Sequence, residues 1–259
     1  MKIENNNNIN FKINLRNVLD HKGKLQYRTN TWFFRPDLKW NEFCKFVGDR
    51  FENDKKVVIL DLACSDGEET YSLAYKLIEN LRNKAKKFFP INASDIDSEN
   101  IKIANSKDKY RLDKEEALFI NELKYPFFAY FKIDYNDKNI PTHLKPNQRL
   151  KNKVRFKQND ALSEIKNMQN NTSIVFLKNC WPYINGSERN KILSELYKKF
   201  DDKSLIVIGA FDRYNLPMKF LMAKNGFEET EIKNVFQKTK KTLRKTILIY
   251  IKELLLLDT

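Results

Sequence analysis

With 259 residues and 41% hydrophobic side chains, the chain is long enough to bury one large core. No apolar run approaches the roughly 18 residues that a bilayer span needs, and the closing Leu254–Leu257 is far shorter, so membrane insertion is not expected. Cys44, Cys64 and Cys180 have no metal-ligand spacing, and an odd count without a secretory signal argues against a disulfide framework, so they read as reduced thiols of a cytoplasmic protein.

The net charge of +14 invites a nucleic-acid partner. Lysine and asparagine recur along the whole sequence, however, and a general compositional bias accounts for the charge without a dedicated phosphate-binding face. From the amino end, Met1–Asn10 is a polar tract with little to bury and reads as frayed. Thr29–Pro36 leads into Leu38, Trp40, Phe43, Phe46, Val47 and Phe51, an apolar stripe at helical spacing. Arg35, between Phe34 and Pro36, has no structural duty in such a helix. Residues 1–52 therefore form an amino-terminal extension and helix bordering the site, and residues 53–259 the main domain.

Val57–Leu60 is a continuous apolar run, as expected of a parallel strand buried on both faces. It runs through small residues to Gly67, after which Tyr71, Ala74, Tyr75, Leu77, Ile78 and Leu81 recur at helical spacing, with Glu68 and Glu69 in the first turn. A strand turning sharply into a helix leaves backbone N–H groups facing a crevice at the carboxyl end of the sheet, where open α/β folds bind nucleotide-like ligands. Phe88–Ala93 reads as the next strand, ending at Ser94-Asp95-Ile96-Asp97. Asp95 suits ribose hydroxyls or a helix cap, and Asp97 or Ser98 could cap the short helix that follows. The distance from Gly67 exceeds the roughly 20 residues of a compact dinucleotide unit, and the Lys-rich Arg82–Lys87 absorbs the excess.

Lys114–Tyr125 reads as a helix stopped by Pro126, Tyr130–Asp134 as an edge strand, and Pro141 to Pro146 as a loop. Val154-Arg155-Phe156 is a third core strand; Asp160 beyond it is equally a helix cap or an acceptor for an adenine amino group. Ser173–Leu177 is a fourth strand, leading into Lys178-Asn179-Cys180-Trp181-Pro182-Tyr183. A helix over Ser187–Phe200, a strand over Leu205–Gly209 and a helix over Met218–Lys224 stopped by Gly226 follow. Two strand-like runs, Phe227–Gln237 and Thr242–Ile251, read as a closing hairpin. The order predicts a doubly wound α/β, Rossmann-like sheet of seven strands with a C-terminal antiparallel hairpin.

Four motifs in order carry a family resemblance. Thr31-x-Phe33-Phe34-Arg35, Cys64-Ser65-x-Gly67-Glu68-Glu69-x-Tyr71-Ser72-Leu73-Ala74, Ala93-Ser94-Asp95-Ile96-Asp97 and Asn179-x-x-x-Tyr183 are similar to signatures of the CheR-type chemotaxis-receptor glutamate O-methyltransferases, a family of class I S-adenosylmethionine-dependent enzymes. The resemblance implies S-adenosyl-L-methionine as cofactor and a carboxylate of a protein, such as a methyl-accepting receptor, as substrate. It also implies that Gly67 allows close approach to the backbone, with Ala63 and Ser65 standing where other methyltransferases use glycine. Glu69 would hold the cofactor's amino group, Thr31 and Arg35 its carboxylate, Asp95 the ribose and Asp160 the adenine, with Ile96 and Ala161 also among the cofactor-binding residues. Asn179 would complete the cofactor wall, while Arg35 and Tyr183 border the methyl group. A carboxylate is ionised at neutral pH, so its methylation needs alignment and desolvation rather than a general base. This suits a chain whose two histidines, His21 and His143, lie outside the motifs.

Departures from the family pattern are Lys178 for arginine, Thr70 for proline and Ala210-Phe211-Asp212 for His-Ser-Glu. Around 126–153, where relatives carry a receptor-docking β-subdomain, no such unit is legible. A nucleic-acid base methyltransferase is the alternative reading, because Asn179 to Tyr183 lies where amino-methyltransferases hold a flipped base.

Overall fold

A computed structural model describes residues 17–19, 25–27, 31–106, 109–123, 126–169 and 173–239. The frayed tract expected at Met1–Asn10, the run Thr242–Ile251 and the closing leucines lie outside the described residues. In chain order the strands and α-helices are β1 (Asn17–Leu19), β2 (Leu25–Tyr27), α1 (Trp40–Arg50), β3 (Val58–Leu62), α2 (Glu68–Leu81), β4 (Ile91–Asp95), α3 (Ser98–Ser106), β5 (Tyr110–Arg111), α4 (Lys114–Asn121), β6 (Phe131–Tyr135) and β7 (Pro141–Pro146). They continue as α5 (Gln148–Lys151), β8 (Val154–Gln158), α6 (Ala161–Asn167), β9 (Ser173–Phe176), α7 (Gly186–Lys199), β10 (Leu205–Val207), α8 (Ala210–Asn215), α9 (Met218–Lys224), β11 (Phe227–Glu229) and β12 (Val235–Lys238).

The main sheet has seven strands in the order β11-β12-β10-β9-β3-β4-β8. β8, β4, β3, β9 and β10 pair in parallel, and β12 runs antiparallel to both β10 and β11. The doubly wound sheet with an antiparallel pair at its end is thus as the sequence predicts. Its central strands β3, β9 and β10 are largely apolar because both faces are covered. Ile59, Ile174, Phe176, Leu205 and Val207 enter one core with Phe43, Val47 and Leu77 of α1 and α2. Leu60, Leu62, Val175, Leu177 and Ile206 enter the other with Ile165, Leu193 and Met222 of α6, α7 and α9. The alternation fixes which strand residues face α2, and it puts Asp61 on that side.

The closing hairpin is corrected. The single strand expected over Phe227–Gln237 is itself the hairpin, pairing Phe227–Glu229 with Phe236–Lys238. The chain reverses at Thr230–Asn234, where Asn234 takes a left-handed φ of 70° and the Thr230 N–H donates to the Val235 carbonyl at 2.8 Å. Neither glycine nor proline marks the reversal; the asparagine supplies the left-handed residue.

Residues 141–146, expected as a loop, are instead the central strand of a three-stranded antiparallel sheet β5-β7-β6. Pro141 and Pro146 sit at the two ends of β7, where a missing N–H least disturbs a ladder. This sheet includes the β6 edge strand expected from the sequence, and with β7 it makes a β unit within 126–153, where only that one strand was legible. The second parallel strand begins at Ile91 rather than Phe88, since Pro90 has no N–H to give a ladder. Helix α4 stops at Asn121, four residues before the expected end, and the N–H groups of Glu122 and Leu123 close back on Phe119 and Ile120.

Candidate active site

The turn that joins β3 to α2 lies at the carboxyl end of the parallel strands, with β4 and β9 on either side of β3. Within it Ala63 (φ 58°), Ser65 (φ 53°) and Gly67 (φ 95°) all adopt the left-handed region. An L-residue there costs about 1–2 kcal/mol, so the turn is held by its surroundings. The Cys64 N–H bonds the Ser94 carbonyl at 3.0 Å, and the Ser65 N–H bonds Asp95 Oδ2 at 2.7 Å. At Gly67 a Cβ would stand 2.8 Å from Phe156 Cζ and 3.2 Å from Ala104 Cβ, which is why glycine is required at this position of the three.

Asp95 is buried, and its Oδ1 also accepts the Asp97 N–H at 2.9 Å. Burial raises its pKa, against the pull of those N–H donors and of Asn100. Beside it Ser94 Oγ, Asp97 Oδ2 and Asn100 Oδ1 are buried without a hydrogen-bond partner. Asp97 Oδ1 takes the Glu99 N–H at 2.8 Å, so Asp97 caps α3. Ile96 lies in the bend after β4, its carbonyl accepting from Gln158 Nε2 at 3.1 Å. Asp160 caps α6 by accepting the Ser163 N–H at 3.0 Å, with Ala161 as the first helical residue.

Glu69, in the first turn of α2, is paired through Oε2 with Lys178 Nζ at 2.8 Å, and Lys178 also meets Asp37 Oδ1 at 3.0 Å. Asp61 is buried between Thr70, whose hydroxyl donates to it at 2.5 Å, and the Glu69 charge. Burial first, and Glu69 second, push its pKa well up.

Asp37 ties the amino-terminal segment to this end of the sheet. Its Oδ2 accepts from Asn179 Nδ2 and from the Ala210 N–H, both at 3.3 Å, and its carbonyl accepts from Asn234 Nδ2 at 3.0 Å. The segment is also held by Phe33 N–H to Glu116 Oε1 (2.8 Å) and Phe34 N–H to Ser72 Oγ (2.9 Å). Half-buried Thr31 and Arg35 are thereby carried to the same end, with the Arg35 guanidinium 5.2 Å above the Trp32 ring.

After β9, Asn179 (φ 57°) has its side chain committed: Nδ2 to Asp37, and Oδ1 accepting the Phe211 N–H at 3.2 Å. Gly209 makes room for it. Asp212 accepts three backbone N–H groups, from Gly209, Asn179 and Trp181, at 2.7–3.0 Å. Burial nonetheless pushes its pKa up to about 7. Trp181 is fully buried and donates to the Leu177 carbonyl. Tyr183 stacks on Phe211, ring centroids 6.0 Å apart, and burial together with Asp212 raises its phenol pKa, so it is a neutral hydrogen-bond donor at neutral pH.

Phe34, Glu69, Asp95, Asn179 and Tyr183 thus occupy adjoining segments. Sequence reading did not assign the connecting residues Asp37, Asp61 and Asp212 to the site; the one signal was Asp212, which stands at the acidic position of the family's His-Ser-Glu. A helix amino terminus after a strand ordinarily favours anions. Here Asp66 precedes the helix and Glu68 and Glu69 lie in its first turn, an acidic environment that disfavours phosphate and suits a cationic ligand. A sulfonium carrying an α-ammonium, together with a ribose for the buried carboxylate and orphaned polar atoms near Asp95, fits these residues.

A family model described as CheR methyltransferase, SAM binding domain, matches residues 29–226. The chain belongs to the CheR methyltransferase family. It is accordingly an S-adenosylmethionine-dependent methyltransferase. No curated protein sequence matches it significantly. Similar solved structures include the precorrin 8W decarboxylase of Methanobacterium thermoautotrophicum, 12% identical over 76% of this chain and 90% of that one, with a TM-score of 0.40. An S-adenosylmethionine-dependent methyltransferase of Archaeoglobus fulgidus is 15% identical over 73% and 70%, TM-score 0.36. The Synechocystis magnesium protoporphyrin IX methyltransferase with bound S-adenosylmethionine is 12% identical over 77% and 79%, TM-score 0.35. Among the described residues, no helix is long and apolar enough to cross a membrane.

Proposed function

We propose that this CheR family member methylates carboxylate side chains, glutamates foremost, of a cytoplasmic protein substrate. When bound, the cofactor supplies an electrophilic methyl on a sulfonium. Glu69 holds the α-ammonium, Thr31 and Arg35 the carboxylate, Asp95 with Ile96 the ribose, and Asp160 with Ala161 the adenine. The left-handed backbone of Ala63, Ser65 and Gly67 lets the cofactor lie against the turn, and Asn179 forms part of the wall. Arg35 orients the incoming carboxylate by charge, and Tyr183 donates a hydrogen bond from its neutral phenol.

The observation that carries this reading is that a cationic group, Arg35, and a neutral donor, Tyr183, lie on the segments around an acidic turn, with no imidazole beside them among the described residues. His143, the histidine among the described residues, sits on β7 with Nδ1 3.1 Å from Thr142 Oγ1. A nucleophile that is already ionised needs only orientation and desolvation. The nucleic-acid alternative draws on the Asn179–Tyr183 segment, yet the Asn179 amide is spent on Asp37 and Phe211 and Trp181 is buried, which favours the carboxylate.

The test is transfer of labelled methyl from S-adenosylmethionine into host-cell extract, followed by protease or nuclease digestion. The reading expects label to become soluble with protease. Label released by nuclease alone would replace the protein substrate with RNA or DNA.

A further inference from the structure

The chain Asp37–Lys178–Glu69 joins three segments that are distant in sequence. The Lys178 side chain is 1% exposed, against 8% for Asp37 and 13% for Glu69. Its ammonium also lies 5.3 Å from the centre of the Trp40 ring, so it is fixed from several sides. Burying an ion trio is a poor way to gain stability, because desolvation offsets much of the attraction. The trio is also unbalanced: two carboxylates face one ammonium, leaving one negative charge. Asp61, close by, is driven by burial, and then by the Glu69 charge, toward its neutral form. The ion pair engages Oε2 of Glu69, so Oε1 is the oxygen left for a ligand.

We propose that Lys178 is a positioning residue for the cofactor's amino group: shared between Asp37 and Glu69, it fixes the Glu69 carboxylate in place, and the α-ammonium completes the charge of the trio. The inference rests on the assignment of Glu69 to that ammonium. A lysine serves here as a point charge that two carboxylates can share. Burial disfavours the Lys178 ammonium, but Glu69 and Asp37 outweigh burial and its pKa is raised, so it remains charged.

The experiment is calorimetric binding of two probes, S-adenosylhomocysteine and 5′-methylthioadenosine, which shares the adenosine and sulfur but has no amino-acid moiety. Lys178→Met should weaken S-adenosylhomocysteine about tenfold or more, as expected for loss of a charge-assisted contact, while leaving methylthioadenosine within about twofold. Lys178→Arg, which keeps the charge, should recover most of the lost affinity. Asp37→Asn removes the outer carboxylate, neutralises the trio and should lower the preference for S-adenosylhomocysteine in the same sense. If Lys178→Met fails to fold, Asp37→Asn carries the decision.

Unchanged or tighter S-adenosylhomocysteine binding in the folded Lys178→Met variant would overturn the proposal, because Lys178 would then be a bystander or a competitor for Glu69. Equal losses for both probes would reduce it to a packing residue and overturn it too. Glu69→Gln separates the two levels. If it leaves the preference intact, the Glu69 assignment itself falls. If it removes the preference while Lys178→Met does not, only the role of Lys178 falls.

Discussion

Replacing Gly209 by alanine should dislodge Asn179 while leaving the backbone unstrained. Gly209 has φ −92° and ψ 165°, extended geometry open to any residue, so the effect must come from the added methyl. Its Cβ would lie 1.9 Å from Asn179 Oδ1 and 2.4 Å from its Cγ, closer than any real contact. The amide must rotate away, giving up its bonds to Asp37 at 3.3 Å and from Phe211 at 3.2 Å. Two long hydrogen bonds and the overpacking together amount to about 2–4 kcal/mol. For a chain of this size that corresponds to roughly 4–16 °C in melting temperature. Urea unfolding of Gly209→Ala, Asn179→Gly and the double variant supplies the check. Glycine at 179 accepts the φ of 57° and removes the obstacle, so the double variant should be no less stable than Asn179→Gly. The coupling energy should then be about 2 kcal/mol or more. Costs that add within about 0.5 kcal/mol would refute the steric account and the placement of Asn179 with it.

Asp95→Ala should abolish S-adenosylhomocysteine binding by calorimetry; undiminished binding would remove the ribose assignment. Tyr183→Phe should leave that binding within about twofold and slow turnover roughly tenfold or more, as expected for a hydrogen bond used in orienting the nucleophile. Stability of the protein without cofactor should decline between about pH 4.5 and 7. Burial pushes Glu116 and Asp212 each up to about 7, so the folded state holds protons that the unfolded chain has released. Their stabilisation is complete below the ordinary carboxylate pKa and is lost as pH rises through the folded value. Glu116→Gln should flatten the slope by up to about 1.4 kcal/mol per pH unit, measured as urea midpoints across that range; an unchanged slope would remove Glu116 as its source.

The central strands were legible because burial on both faces leaves no choice of composition: Val57–Leu60 and Ser173–Leu177 are apolar at nearly every position. The hairpin at Phe227–Lys238 was not, because its reversal is built on Asn234 and a buried Ile232 rather than on glycine or proline. The small sheet of β5, β6 and β7 was hidden by the prolines that bound its middle strand. In the site, the turn was recognisable by Gly67, but the left-handed Ala63 and Ser65 follow from the fit around Asp95 and not from their own preferences. The Asp37–Lys178–Glu69 chain and the three N–H donors gathered by Asp212 unite segments more than 100 and 30 residues apart, and no local pattern announces such a meeting.

Alkali treatment of the methylated product bears most directly on carboxylate methylation by this chain. Labelled methyl transferred from S-adenosylmethionine to host-cell protein should leave as volatile methanol when the pH is raised, since methyl esters hydrolyse under base. Label that stays on protein through the same treatment would contradict a carboxylate acceptor.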